Sequence, residues 1–203
     1  MLPLPSMNAR PLLVLTLCLA GAACSSTRAT VPTHVASAPF TPDLAAFFDD
    51  AVDYVENVED LGGRVASDWR RQIDGLAQNS DVITVVRVET VTSGSESSSS
   101  GSMRLTTVST RAPLRGTLPE DRRIDLRVSE GEVGYNTVRN SSTRLQSREW
   151  LMFVRWYDDA DGQVRPHWHL TPSTAATIQR AQDAIGYIDP NAPREQVVRP
   201  TSN

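Results

Sequence analysis

The sequence predicts an α+β domain: a small five-stranded antiparallel OB-like β-barrel with flanking helices. Three observations predict it. Five segments, at 82–91, 103–110, 123–129, 150–157 and 164–170, are strand-like in their β-branched content or apolar alternation. The first is much the longest, and turn-forming residues between most of them indicate hairpin links. Helical spacing falls before the first segment and after the last.

Thr41-Pro42-Asp43 is a helix-start signal, and Leu44, Phe47, Phe48, Ala51 and Val52 continue it at three- and four-residue spacing. A short extended piece is expected around 54–58, and Gly62-Gly63 breaks the chain. Ser67 or Asp68 is placed to cap a second helix on which Trp69, Ile73 and Leu76 share a face. The β-branched run at 82–91 follows. Residues 93–102, SGSESSSSGS, have nothing to bury and predict a mobile hairpin loop. In 123–129, Ile124, Leu126 and Val128 alternate with Asp125, Arg127 and Ser129, which puts one face on a core. Segment 150–157 is apolar on both faces, as a central or helix-covered strand should be. Asp158-Asp159-Ala160-Asp161-Gly162 makes the turn into the last strand, and Thr171-Pro172-Ser173 opens a final helix through Ile178 and Ala181.

The ends carry a different message. Arg10 precedes the apolar run 11–20, which is shorter than the roughly 20 residues needed to span a bilayer but suits a secretory leader. Gly21-Ala22-Ala23-Cys24 follows and resembles a bacterial lipobox, in which Cys24 is acylated and the chain is cut before it. Residues 1–23 are therefore expected to be a lipoprotein signal peptide, 24–41 a flexible tether, 42–188 a single domain and 189–203 a loose C-terminal tail. Cys18 leaves with the leader and Cys24 carries lipid, so no thiol remains for a disulfide or a nucleophile. Ser25 is not the Asp associated with inner-membrane retention, which points to the outer membrane, facing the periplasm. The expected partner is the membrane, through this anchor, together with an envelope protein or a glycan.

Two resemblances accompany this reading. Ile83-Thr84-Val85-Val86-Arg87-Val88, Pro113-Leu114-Arg115-Gly116 and Arg148-Glu149-Trp150-Leu151-Met152-Phe153-Val154 together look like the netrin-like domain, the OB-type barrel of tissue inhibitors of metalloproteinases and related secreted bacterial proteins. The likeness covers roughly residues 81–171. It implies a barrel and raises protease inhibition as one alternative. The family's disulfides are absent, however, and its inhibitors chelate zinc through a free N-terminal Cys that acylation of Cys24 would consume. A second likeness is to uncharacterised lipoproteins of predatory or soil deltaproteobacteria, including myxobacteria, which implies no activity.

Composition excludes several chemistries. The chain has 203 residues and formal net charge −4, and all 20 basic residues are arginine. Without lysine there is no P-loop, Schiff base or Ser–Lys dyad. Loss of Arg10 with the leader takes the net charge from −4 to −5, against a nucleic-acid partner. No Gly-x-Ser-x-Gly, Gly-x-Gly-x-x-Gly or His-Glu-x-x-His motif is present.

Of the three histidines, His34 lies in the tether, leaving Arg165-Pro166-His167-Trp168-His169 as the segment richest in chemistry. On a strand, His167 and His169 share a face and could hold one metal, with a carboxylate from Asp158, Asp159 or Asp161. The plainer alternative is two polar residues on the solvent face, with Trp168 and Leu170 packed inward. The Asp turn is not an EF-hand: Tyr157 takes the first ligand position and Trp168 the twelfth. Trp69, Trp150, Trp156 and Trp168 lie in apolar-periodic segments and are expected in the core, rather than forming a ligand-stacking platform. Arg70-Arg71 and Arg122-Arg123 are expected to be solvated faces, with a phosphate site as the alternative. The balance favours a non-enzymatic binding or structural module with no cofactor; the rival is a metal-dependent hydrolase using His167 and His169.

Overall fold

The computed structural model describes residues 38–97, 100–159 and 162–186; Cys24, the expected leader, the expected tether up to residue 37, Asp161 and the expected tail lie outside them. Residues 38–41, expected in the tether, instead lead into the domain, and Ala38–Pro39 pairs with its sheet. In chain order the elements are β1 (Ala38–Pro39), α1 (Pro42–Ala45), β2 (Ala51–Val52), α2 (Gly63–Asn79), β3 (Val82–Ser97), β4 (Ser100–Ser109), β5 (Arg123–Ser129), α3 (Tyr135–Asn140), α4 (Ser142–Gln146), β6 (Glu149–Asp158), β7 (Val164–Pro172) and α5 (Ala175–Gly186). Among the described residues, no helix is long and apolar enough to cross a membrane.

The fold is α+β, with one curled mixed sheet in the order β2-β7-β6-β3-β4-β5 forming a half-barrel. The five anticipated strands are all present and antiparallel to their ladder neighbours. Two further strands correct the expected count and arrangement. β1 runs parallel to β6, with Ala38 opposite Tyr157, and β2 runs parallel to β7, with Ala51 opposite His169 and Val52 opposite Leu170. Each is two residues long, too short for an alternation to register in the sequence. Because β6 and β7 are antiparallel, the chain must reverse between β1 and β2, and the short α1 makes that reversal.

Alternation along the long strands sorts their residues into two cores. Val86, Leu105, Leu126, Val128, Trp150, Met152, Trp168 and Leu170 fill the concave side. On the convex side, Ile73 and Leu76 of α2 and Ala181 of α5 cover Ile83, Val85, Leu151, Phe153 and Tyr157. All four tryptophans are buried, as expected. The two outermost long strands share no backbone ladder; Trp168 Nε1–H of β7 reaches across and donates to Arg127 O of β5 at 2.9 Å.

Local differences from the sequence reading have simple causes. α2 begins at Gly63, ahead of the Ser67 or Asp68 cap, because Ala66 extends the buried stripe of Trp69, Ile73, Leu76 and Ala77 by a turn. The expected helix through Val52 stops at Ala45, and Ala51–Val52 pairs with β7 instead. Of the extended piece expected at 54–58, residues 54–57 pair with no strand and Val58 opens a 3₁₀ turn, Val58–Leu61. The serine-rich segment is not a loop throughout: the β3–β4 ladder continues to Ser97 opposite Ser100, since backbone pairing needs no apolar side chain. The last helix starts at Ala175, where Thr174 Oγ1 accepts from Thr177 N at 3.1 Å. α3 and α4 gave no clear periodic signal. Their buried residues are single, Val138 and Leu145.

The Pro113–Gly116 stretch acquires a packing role. Arg115 Nη1 donates to the carbonyls of Ala77 and Gln78 at 3.0 and 2.9 Å, capping the negative end of α2. Gly116, at φ +78°, lets the chain pass where a Cβ would meet Asp81 O at 2.0 Å.

Candidate functional site

The most concentrated chemistry in the described residues lies where the strap 38–53 crosses β7. Successive strand residues point to opposite faces, so His167 and His169 stand together on the convex side, opposite Trp168 and Leu170. They are not solvent-facing: His167 is 8% and His169 2% exposed. The strap covers them, and nothing in the sequence around β7 marks that covering.

Each imidazole is bracketed by carboxylates. His167 Nδ1 lies 2.7 Å from Asp50 Oδ2 and its Nε2 lies 3.0 Å from Asp159 Oδ1. His169 Nδ1 lies 2.8 Å from Asp49 Oδ1 and its Nε2 3.2 Å from Asp53 Oδ2. A neutral imidazole has one N–H donor and one acceptor nitrogen, so it satisfies only one of two flanking carboxylates. An imidazolium donates to both. Burial pushes both rings toward the neutral form, but the hydrogen bonds and charges of the flanking aspartates outweigh it. His167 is raised above its ordinary value, and His169 is raised to about 9.

The aspartates are held from several directions. Asp53 accepts from His169 and from Trp69 Nε1–H (3.1 Å) on one oxygen, and from Thr171 Oγ1–H and Val55 N–H (both 2.9 Å) on the other. Asp50 accepts from Trp168 N–H at 3.0 Å and from His167. Its backbone is left-handed, at φ +51°, a conformation Asp tolerates better than most side chains. That kink is what lets neighbouring Asp49 and Asp50 both reach histidines, where a regular strand would send them to opposite faces. Burial is the largest influence on the Asp50 carboxyl and raises it to about 6, against the opposing pull of His167. Asp159 also pairs with Arg165 at 3.1 Å. Phe40, from the strap, stacks on His167 at 3.8 Å and 8°.

Of the residues singled out from sequence, His167 and His169 sit side by side but do not converge on one point. Asp161 lies outside the described residues. Among the described residues no set of three or more His, Cys, Asp or Glu side chains is arranged to hold a metal ion. The donor types are those of a zinc site, but Asp53 already accepts four hydrogen bonds and each ring nitrogen already faces a carboxylate. The arrangement is chemically a fastening: two imidazoles held between four aspartate side chains, three of them from the strap, tie the strap to the sheet. Sequence reasoning missed Asp49, Asp50, Asp53 and Phe40. The run Phe48-Asp49-Asp50-Ala51-Val52-Asp53 is an unusual place for carboxylates in an apolar segment, which is the signal that was available.

Arg70 pairs with Glu59 at 2.6 Å and Arg123 with Glu89 at 3.0 Å, both at the surface. In comparisons with known proteins, no family model, curated protein or solved structure matches the chain.

Proposed function

We propose that this chain is a lipid-anchored protein of the bacterial cell envelope, acylated at Cys24, whose OB-like domain acts by binding or as a structural part, not as an enzyme. The observation that carries the non-enzymatic reading is the geometry at His167 and His169: all four ring nitrogens face aspartate carboxylates. Among the described residues, no imidazole nitrogen is left to act on a substrate as a base.

The barrel reading is supported by the order of the five long strands, β7-β6-β3-β4-β5, and by α3 and α4 lying between β5 and β6. A closed OB-type barrel would bring β5 beside β7, where Trp168 already bridges to Arg127. Burial of all four tryptophans removes them as a sugar-stacking platform, so an envelope protein is the favoured partner over a glycan. A net charge of −5 after leader removal opposes nucleic acid.

Metabolic labelling with palmitate in a Gram-negative host tests the anchor. Label is expected on the chain, lost in Cys24→Ser, with the unprocessed precursor accumulating when the lipoprotein signal peptidase is inhibited. A labelled Cys24→Ser protein, or an unlabelled original chain released into the soluble periplasm, would overturn it.

A further inference from the structure

The strap is more than a terminus laid against a sheet. β2 sits on the free edge of β7, on the side where the half-barrel is not closed by a ladder to β5, and Val52 contributes to the concave core there. Its backbone hold is slight: beyond the two-residue pairings, Asp50 N–H donates to Trp168 O at 3.0 Å and Asp53 N–H to Leu170 O at 2.9 Å. Side chains hold it in two ways: Phe48 is fully buried on the convex side with Phe40, Leu44 and Phe47 packed beside it, and the histidine–aspartate cluster supplies the part of the hold that titrates.

We propose that residues 38–53 form a pH-gated stave, seated beside β7 while His167 and His169 are imidazolium and released from that edge when the rings lose their second protons. The geometry sets the direction. With both rings charged, every N–H meets a carboxylate. With a ring neutral, one nitrogen lone pair faces a carboxylate oxygen at about 3 Å with no hydrogen between them, and the anions lose a neutralising charge.

The charged surroundings add to this. Asp49, Asp50 and Asp53 come from the strap, and Asp159, paired with Arg165, comes from the turn after β6. Glu132, before α3, adds negative charge near Asp50. On β6, Tyr157 lies 5.7 Å from the His167 ring and stays neutral, burial raising it to about 12, with Arg155 and Asp81 acting on it. From α2 the contact is the uncharged Trp69. Carboxylates thus outnumber the cations even with both rings protonated.

The sign is the reverse of an acid-triggered histidine switch. Both rings titrate higher in the seated state than free in solution, so the histidines' contribution to the hold is in place near pH 6.5 and weakens as pH rises toward 9. Release would bare the Trp168–Leu170 edge of β7. On the reading that Cys24 is acylated, it would also add 16 residues to the tether, roughly 50 Å if extended. The gate itself does not depend on acylation, so its failure and failure of the anchor are separate results.

Amide hydrogen exchange on the full chain in detergent at pH 6.5 and 9.0, each corrected for the intrinsic rate, tests the gate. Protection of the Asp50 and Asp53 amides is expected to fall at least about tenfold at pH 9.0, while the β3–β6 ladder keeps its own. Unchanged protection of the strap, or loss only together with the ladder, would overturn it. Nitrogen-15 spectra at pH 7.5 give a second readout: both nitrogens of His169 are expected protonated, and a single-tautomer neutral ring would overturn the proposal. His169→Gln should flatten the pH dependence. If that variant does not fold, the unaltered chain's exchange profile and ring spectra still decide.

Discussion

Replacing Asp53 with alanine removes one carboxylate on which four donors converge, and its cost can be worked from the contacts. Trp69 Nε1–H and the Thr171 hydroxyl lose their acceptor in a part-buried setting, each at about 1–3 kcal/mol. His169, 2% exposed, loses one of two counter-ions, and breaking a buried ion pair costs about 3–5 kcal/mol. These effects share one site and are not additive, so a total near 4 kcal/mol is expected. For a domain of this size that is about 12 °C in Tm. Asp53→Asn keeps an acceptor for Thr171 and Val55 but turns N–H groups toward Trp69 and His169, so it should fall between alanine and the original. Asp43→Ala, exposed on α1, is the control and should stay within about 0.5 kcal/mol. Urea unfolding followed by fluorescence of the four buried tryptophans measures all three. A loss below about 1 kcal/mol for Asp53→Ala would mean the cluster is not a fastening, and the reasoning would fail.

Global stability should follow the same protons: it is expected to decline from pH 6.5 to 9 as His169 gives up a contribution of up to about 3 kcal/mol. Asp50 acts in the same direction in a lower window, since its raised carboxyl carries a desolvation penalty present above about pH 6 and relieved as pH falls; a urea midpoint that climbs from pH 6.5 toward pH 9 would contradict the histidine part. Gly134→Ala should cost about 3 kcal/mol, because the new Cβ would lie 1.8 Å from Asp50 O and 2.7 Å from Ala51 Cα, backbone that must shift; an unchanged melting curve would show that the strap yields there. Elemental mass spectrometry on the purified chain should find far less than one zinc per molecule. Stoichiometric zinc that disappears in His169→Ala would replace the fastening with a metal centre.

The five long strands were legible because each has a buried face, and burial of one face imposes a period of two on the sequence. β5 shows it most clearly: Ile124, Leu126 and Val128 are buried and the residues between them are not. β6 was legible as doubly covered because both its faces are apolar. The two-residue β1 and β2 were not, since pairing that rests on a few backbone bonds leaves no pattern of side chains. The serine-rich hairpin misled for the related reason that its ladder extends on backbone hydrogen bonds alone.

The sequence by itself determined which face of β7 each histidine takes, because alternation along a strand is local geometry. It also determined the expectation of an acylated Cys24, which rests on a linear motif read in an extended chain. What covers that face was decided only by the tertiary structure. Asp49, Asp50 and Asp53 reach the histidines from 116 to 120 residues earlier in the chain, across a left-handed kink at Asp50. A histidine's charge depends on the carboxylates within about 3 Å of its two nitrogens and on how much water is excluded. Neither quantity exists until the strap lies on the sheet.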